Sequence, residues 1–413
     1  MSQKRRILFS FILIGGIIIF GEVGSFLMLK FLERRPIGAA IFIVRRPEAT
    51  NLAKKLMQQL QDPLFDPKLG WSRRKASKTS TGGITYTFLD DGSRFCGKTD
   101  GPVIASFYGC SGTMGLEVSD LDSFPAYVSE LTGIRVKNWG VPGYGVDQTL
   151  LLFERKLKEE KEHPPVVFLG MGTEGINRNV SAWRLFYTGE NLLKPRLLMT
   201  EHGLKPFNPI LANPSNYIHA SDNEILKALV PYDYWLSSRF AGNIIVKPSV
   251  EFPFTASLGK SAMYLLGKSR SELAFPKKKF QSPFNLYDQK EPLLLLEQIT
   301  DRFFDICREH QLKGYLVLIS GEFYVDATEG RIKSNTLHLK KGNGRRLDEN
   351  YLSYLNLKGY PYIDTLPIFS KVMKGEGSLK SMFCPYQHPS PRANKLIAEA
   401  IIQKAAFKSV SSK

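Results

Sequence analysis

The chain has 413 residues, 43% of them hydrophobic and 23% charged, with no long low-complexity run. That length buries a full core, in one large domain with additions, and the composition excludes a disordered or fibrous chain. A net charge of +17 suits anionic membrane surfaces or acidic polymers, but Lys and Arg are scattered without a zinc-finger or RNA-recognition pattern, which excludes nucleic acid as the expected partner.

After Lys4, Arg5 and Arg6 the chain runs apolar from Ile7 to Leu29, interrupted by a single charge at Glu22. This stretch is long enough to cross a bilayer, and no A-x-A-like cleavage site follows it. An uncleaved single-pass anchor is therefore expected over residues 1–33, with a cleaved signal as the second reading. Basic residues flank both ends (Lys30, Arg34, Arg35, Arg45 and Arg46 on the far side), so charge does not fix orientation. The tiny leading tail favours a cytoplasmic N-terminus and a periplasmic or extracellular domain. Glu22 marks either a helix contact or the membrane interface.

Residues 34–100 form a membrane-proximal segment, with a helix near Ala49–Gln61 and a peripheral strand or hairpin in ITYTFLDDGSRF. From 101 to 178 the pattern becomes regular: PVIASFYG as a buried strand, FPAYVSELTG as a helix, IRVKNWG as a strand, a helix near Val146–Glu162, and PPVVFLGMG as a strand. Between 179 and 291 the alternation lapses into a Pro-, Tyr-, Asn- and Phe-rich insertion or lid. Its aromatics, Trp183, Tyr187, Tyr234 and Trp235, are either core or surfaces for stacking on sugar rings. From 292 to 413 alternation resumes with LLLLEQITDRFFDICREH, the strands GYLVLIS and YPYID, and a last helix over about Pro391–Ala406. Strands alternating with helices predict a parallel sheet covered on both faces, a three-layer α/β/α sandwich of five strands.

In such sheets ligands bind beyond the carboxyl ends of the strands. Ser111, Gly143, Glu174 and His388 all fall in loops at that edge. The turn FYGCSGTMG exposes the Ser111 hydroxyl among small residues, as a nucleophile requires, although turn formation alone accounts for a serine there. His388 precedes the last helix, as a base or as a packing residue. Glu174 either lines the site or pairs with Arg178 or Arg184. The four cysteines, Cys96, Cys110, Cys307 and Cys384, lack metal-ligand spacing, and no metal or cofactor is expected. They read as buried thiols, with a Cys110–Cys384 disulfide as the alternative in an exported domain.

Three blocks resemble the SGNH-hydrolase superfamily, the GDSL-like esterases and acyltransferases. GCSGT at 109–113 is similar to the family's GDS block, NWGVPGYG carries the second-block glycine as Gly143, and HPSPRANKLIAEAI carries the histidine as His388. The resemblance covers roughly residues 100–180 and 290–406 and implies a flavodoxin-like fold. It implies that Ser111 attacks an ester carbonyl, that His388 takes its proton, and that the Ser111 and Gly143 amides hold the oxyanion. It also implies an ester substrate, chiefly O-acetyl groups on envelope glycans, with hydrolysis or acyl transfer as the reaction. A lipid-acting lipase is a weaker alternative.

Three departures stand out. Cys110 replaces the family's first-block Asp. Glu174 replaces the Asn donor of the third block, a loss typically worth ~10²–10³ in rate, with Asn177 or Asn179 one turn further on as substitutes. Pro385 replaces the Asp that orients the histidine, a loss of ~10⁴ by analogy with serine proteases. A Ser–His dyad would remain, held by a backbone carbonyl or a distant carboxylate. The departures leave a second expectation open, a non-catalytic scaffold of an envelope-assembly complex.

Overall fold

The computed structural model describes residues 3–34, 51–160, 163–239, 252–266, 283–322, 324–325, 346–376 and 380–407. The chain begins with α1 (Gln3–Arg34) and α2 (Leu52–Leu60), followed by an antiparallel hairpin, β1 (Ser77–Thr81) with β2 (Ile84–Phe88). Next come β3 (Val103–Gly109), α3 (Ser111–Met114), α4 (Phe124–Thr132), β4 (Arg135–Gly140), α5 (Val146–Glu159), β5 (Val166–Gly172) and α6 (Gly175–Asn179). A second hairpin, β6 (Arg196–Thr200) with β7 (Gly203–Phe207), leads into α7 (Asp222–Leu229), α8 (Tyr234–Arg239) and α9 (Phe254–Leu266). The remaining elements are α10 (Lys290–Glu309), β8 (Lys313–Ile319), α11 (Glu349–Lys358), β9 (Tyr362–Asp364), α12 (Thr365–Glu376) and α13 (Pro391–Ala405).

All five expected strands are present and pair in the order β9-β8-β5-β3-β4, every neighbour parallel. Numbered along the chain this is 2-1-3-4-5, the flavodoxin-like order. Central β5 is buried throughout, as a strand covered on both faces must be. Side chains alternate across the sheet with period two. Phe107, Phe168 and Val317 point into a core with Phe124, Ile363 and Ile397, from α4, β9 and α13. Tyr108, Leu169 and Leu318 point into the opposite core, with Phe153, Phe303 and Tyr351 from α5, α10 and α11. Phe107 and Phe168 stack at 4.6 Å and 7°, and burying each contributes roughly 1.5–3 kcal/mol.

The peripheral strand ITYTF pairs with the preceding SKTST, and ITYTFLDDGSRF also folds back on itself through an antiparallel bridge of Phe88 with Arg94. The turn between SKTST and ITYTF is Gly82-Gly83, both at positive φ (59° and 79°), and a two-residue turn of that kind matches the twist of the strands it joins. The α2 helix spans Leu52–Leu60, shorter than expected; positions 35–50 lie outside the described residues. The described part of 179–291 is more regular than its sequence reads. Leu193, Ile210, Leu226 and Trp235 share one core with α5 and α10, so this region covers the sheet face. Trp183 is fully buried, and Tyr187 stacks on Trp235 at 4.9 Å.

Candidate functional site

A serine can stand at a strand end only if the chain turns there without collision. Gly109, Gly140 and Gly170 lie in register at the carboxyl ends of β3, β4 and β5, and α3 lies flat across them. A Cβ on Gly140 would sit 2.2 Å from the Met114 nitrogen, and one on Gly170 would sit 2.2 Å from the Thr113 hydroxyl. Side chains at these positions would lift α3 off the sheet. Ser111 is the first residue of α3, 6% exposed, with Cys110 in extended conformation before it.

The far end of α3 is fastened by buried polar groups. Asn138 donates to the carbonyls of Thr113 (3.0 Å) and Met114 (3.3 Å). Arg94, fully buried, donates to the carbonyls of Met114 and Gly115 (both 2.6 Å) and Val118 (2.7 Å), and pairs with Asp120 at 3.2 Å. The ordered turn that results carries Glu117.

Glu117 faces His388. Its carboxylate lies 2.7 Å from His388 Nδ1 and accepts from the amides of Tyr386 (2.9 Å) and His388 (3.4 Å). The Glu117 amide donates to Tyr86 of β2 at 2.9 Å. Both loops are strained here: Glu117 and Gln387 have φ of 70° and 69°, a region that costs a residue with a side chain about 1–3 kcal/mol and recurs at functional sites. With Nδ1–H donated to a carboxylate, the neutral imidazole presents an unprotonated Nε2. Sequence reasoning left the position before His388 without an acid, because Pro385 stands there. The replacement comes from six residues after Ser111. Its only sequence signal is an acidic residue in the turn GLEVSD.

Glu174 stands at the N-cap position of α6 without a side-chain capping bond, and its carboxylate pairs with Arg178 at 2.5 Å. Burial opposes its charge, but Arg178, His388 and Arg184 outweigh burial and hold the carboxyl below its usual range. Of the two readings the sequence allowed, the structure shows the pairing with Arg178. Arg178 also reaches the Tyr144 carbonyl at 3.0 Å, and Arg184 reaches the Gly143 carbonyl at 2.6 Å. Gly143 has φ 82°, and a Cβ there would lie 2.3 Å from Arg184. Among the described residues neither the Ser111 nor the Gly143 amide has an acceptor.

Asn177 is fully buried and donates to the Tyr187 hydroxyl at 3.2 Å, packed toward the 179–291 region. Asn179 accepts from the Val146 (2.9 Å) and Asp147 (3.3 Å) amides and so caps α5. All four cysteines are free thiols, and among the described residues no group of His, Cys, Asp and Glu is arranged to hold a metal.

No family model matches this chain, and no curated protein does. Solved structures similar to it include a member of the lipolytic protein G-D-S-L family from Veillonella parvula DSM 2008, at 10% identity and TM-score 0.34, covering 73% of this chain and 97% of that one. A putative lipolytic protein of the same family from Desulfitobacterium hafniense DCB-2 matches at 12% identity and TM-score 0.33, covering 73% and 98%. A gut microbial diltiazem-metabolizing enzyme matches at 15% and 0.34, covering 76% of this chain and 49% of its own. Within the chain itself, strand order 2-1-3-4-5 brings the Ser111 turn, Gly143 and the His388 loop to one sheet edge. The fold is a flavodoxin-like α/β/α sandwich. At that edge the carboxylate facing His388 comes from the turn that follows Ser111, and Glu174 is paired with Arg178.

Proposed function

We propose that the chain is a membrane-anchored serine esterase or O-acyltransferase of SGNH type. Its substrates are acyl esters, acetyl first, on cell-envelope glycans outside the cytoplasm. The hydrogen bond between Glu117 and His388 Nδ1 carries this reading, since it supplies the missing acid. In the reaction, Ser111 Oγ adds to the ester carbonyl while its proton passes to His388 Nε2. The Ser111 and Gly143 amides receive the oxyanion. The C–O bond then breaks, and the departing alcohol takes the proton back from His388, leaving acyl-Ser111. Water or a sugar hydroxyl attacks next by the same route, with its proton shuttled through His388 back to Ser111. Glu117 holds His388 Nδ1 and stabilises the imidazolium that forms. Glu174, neutralised by Arg178, opposes the oxyanion less than a bare carboxylate would.

The helix Phe9–Leu32 is apolar and 11% buried, which supports an anchor or signal at the N-terminus. A non-catalytic scaffold draws support from Glu174 in the donor position, and Glu117 weakens that alternative. Labelling with a fluorophosphonate probe tests the choice. Wild type should label, and Ser111→Ala and His388→Ala should not. A folded wild type that fails to label would establish the scaffold reading.

A further inference from the structure

Glu22 is the one charge in the apolar part of α1, and the structure shows what it meets. Its carboxylate accepts from the amides of Phe254 and Thr255, the latter at 3.3 Å, and from the Thr255 hydroxyl. These amides are the first of α9. The contact continues along both helices. Gly21 packs on Thr255, the Phe26 ring lies 4.9 Å from Phe254, and Leu29 is fully buried with Phe254 and Leu258 against it. Ser25 and Ser257 are buried too; close approach through small residues is how helices associate in lipid.

We infer that α9 enters the bilayer beside α1 and is capped there by Glu22. The inference rests on the anchor reading, and depth follows from it. Glu22 lies ten residues before the end of the Phe9–Leu32 span (32 − 22), about 15 Å at 1.5 Å per residue, near the middle of a roughly 30 Å core. The N-terminus of α9 is at the same level. A bare carboxylate and a bare helix start are each costly in hydrocarbon, where no water satisfies them. Paired, each satisfies the other. Phe252, just ahead of α9, is 75% exposed; at that depth its ring would lie among acyl chains.

From Thr255 to Leu258 the contacts move toward Leu29 and Leu32, so α9 runs toward the same end of the span as α1. Lys260 stands about 9 Å nearer that interface than the Glu22 level. The described chain on either side, α8 ending at Arg239 and the turn starting at Pro283, belongs to the domain. The described helix α9 therefore enters the bilayer, while the described elements on either side of it stay with the domain.

The test uses the full chain in vesicles of lipids brominated at chosen acyl depths. Phe252→Trp adds an indole to the four native tryptophans, Trp71, Trp139, Trp183 and Trp235, all in the domain. Extra quenching is expected, strongest with the deepest bromines. Oxidation of Gly21→Cys/Thr255→Cys should give a disulfide, since a Gly21 Cβ lies 3.8 Å from Thr255 Cγ2. Intact mass of the membrane-purified chain is read alongside. Retained residues 1–32 with no added quenching would overturn the inference and leave the anchor standing. Loss of those residues would overturn both.

Discussion

Replacing Glu117 by Gln isolates the charge on the histidine's acid while keeping its shape. The two carboxylate oxygens have different partners: one takes the Tyr386 amide, the other the His388 amide and Nδ1. A glutamine cannot serve both. With its carbonyl toward His388, its NH₂ meets the Tyr386 N–H, donor against donor, but the productive tautomer survives. Turned over, it satisfies Tyr386 and forces Nδ1 to accept, so the proton moves to Nε2 and the base is lost. The first arrangement gives up a charge-assisted bond, worth about 1.5–3 kcal/mol. The second resembles the tautomer error that costs ~10⁴ in serine proteases. The expected loss in fluorophosphonate labelling rate is therefore ~10²–10⁴-fold, about 2.7–5.4 kcal/mol of barrier. Stopped-time labelling read against Ser111→Ala, with circular dichroism to confirm folding, measures it. A folded Glu117→Gln that labels at the wild-type rate would refute the proposed role.

Arg94→Met should lower stability by ~3–5 kcal/mol, because it strands Asp120 and the carbonyls of Met114, Gly115 and Val118; urea unfolding reads the loss, and an unchanged midpoint contradicts it. Gly140→Ala should cost ~1–3 kcal/mol through overpacking against Met114 and should slow labelling beyond what the stability loss explains, by displacing Ser111. The Asp66 carboxyl has an ordinary value of 3.8; burial raises it, but the Arg155 guanidinium and the Lys68 and Leu69 amides prevail and lower it. A lowered folded value means stability present above pH 3.8 and lost as pH falls through the folded value. Asp66→Asn should therefore flatten the acid limb of stability against pH below about pH 4, as followed by urea midpoints; parallel limbs for wild type and variant would count against it.

The five strands could be read from sequence because burial on two faces imposes a continuous apolar run, and β3, β5 and β8 each carry one. The site edge could be read for the same reason, since loops at strand ends are fixed once the strands are. The partnership of Glu117 with His388 could not, because it joins loops 271 residues apart and neither loop has a periodic pattern. Arg94 was equally silent: an arginine in a polar stretch gives no sign that it will be fully buried under the turn that follows Ser111. In the 179–291 region the sequence misled because its described elements, α9 apart, are three to eight residues long, too short for periodicity to register, although Ile210, Leu226 and Trp235 are core. Glu22 was legible as a possible helix contact; its partner, α9, was not.

Because Glu117 shares the Ser111 turn, the proposed nucleophile and acid stand on one turn, and the proposed base stands on a separate loop just ahead of α13. On the proposed mechanism the site is complete once the Tyr386 and His388 amides meet Glu117. A chain emerging from the ribosome would carry a complete but unarmed half-site for some 270 residues, from Glu117 to His388. On the proposed reading, attack on an ester would await the segment that carries His388, so the activity would appear only after Glu117 and His388 had met.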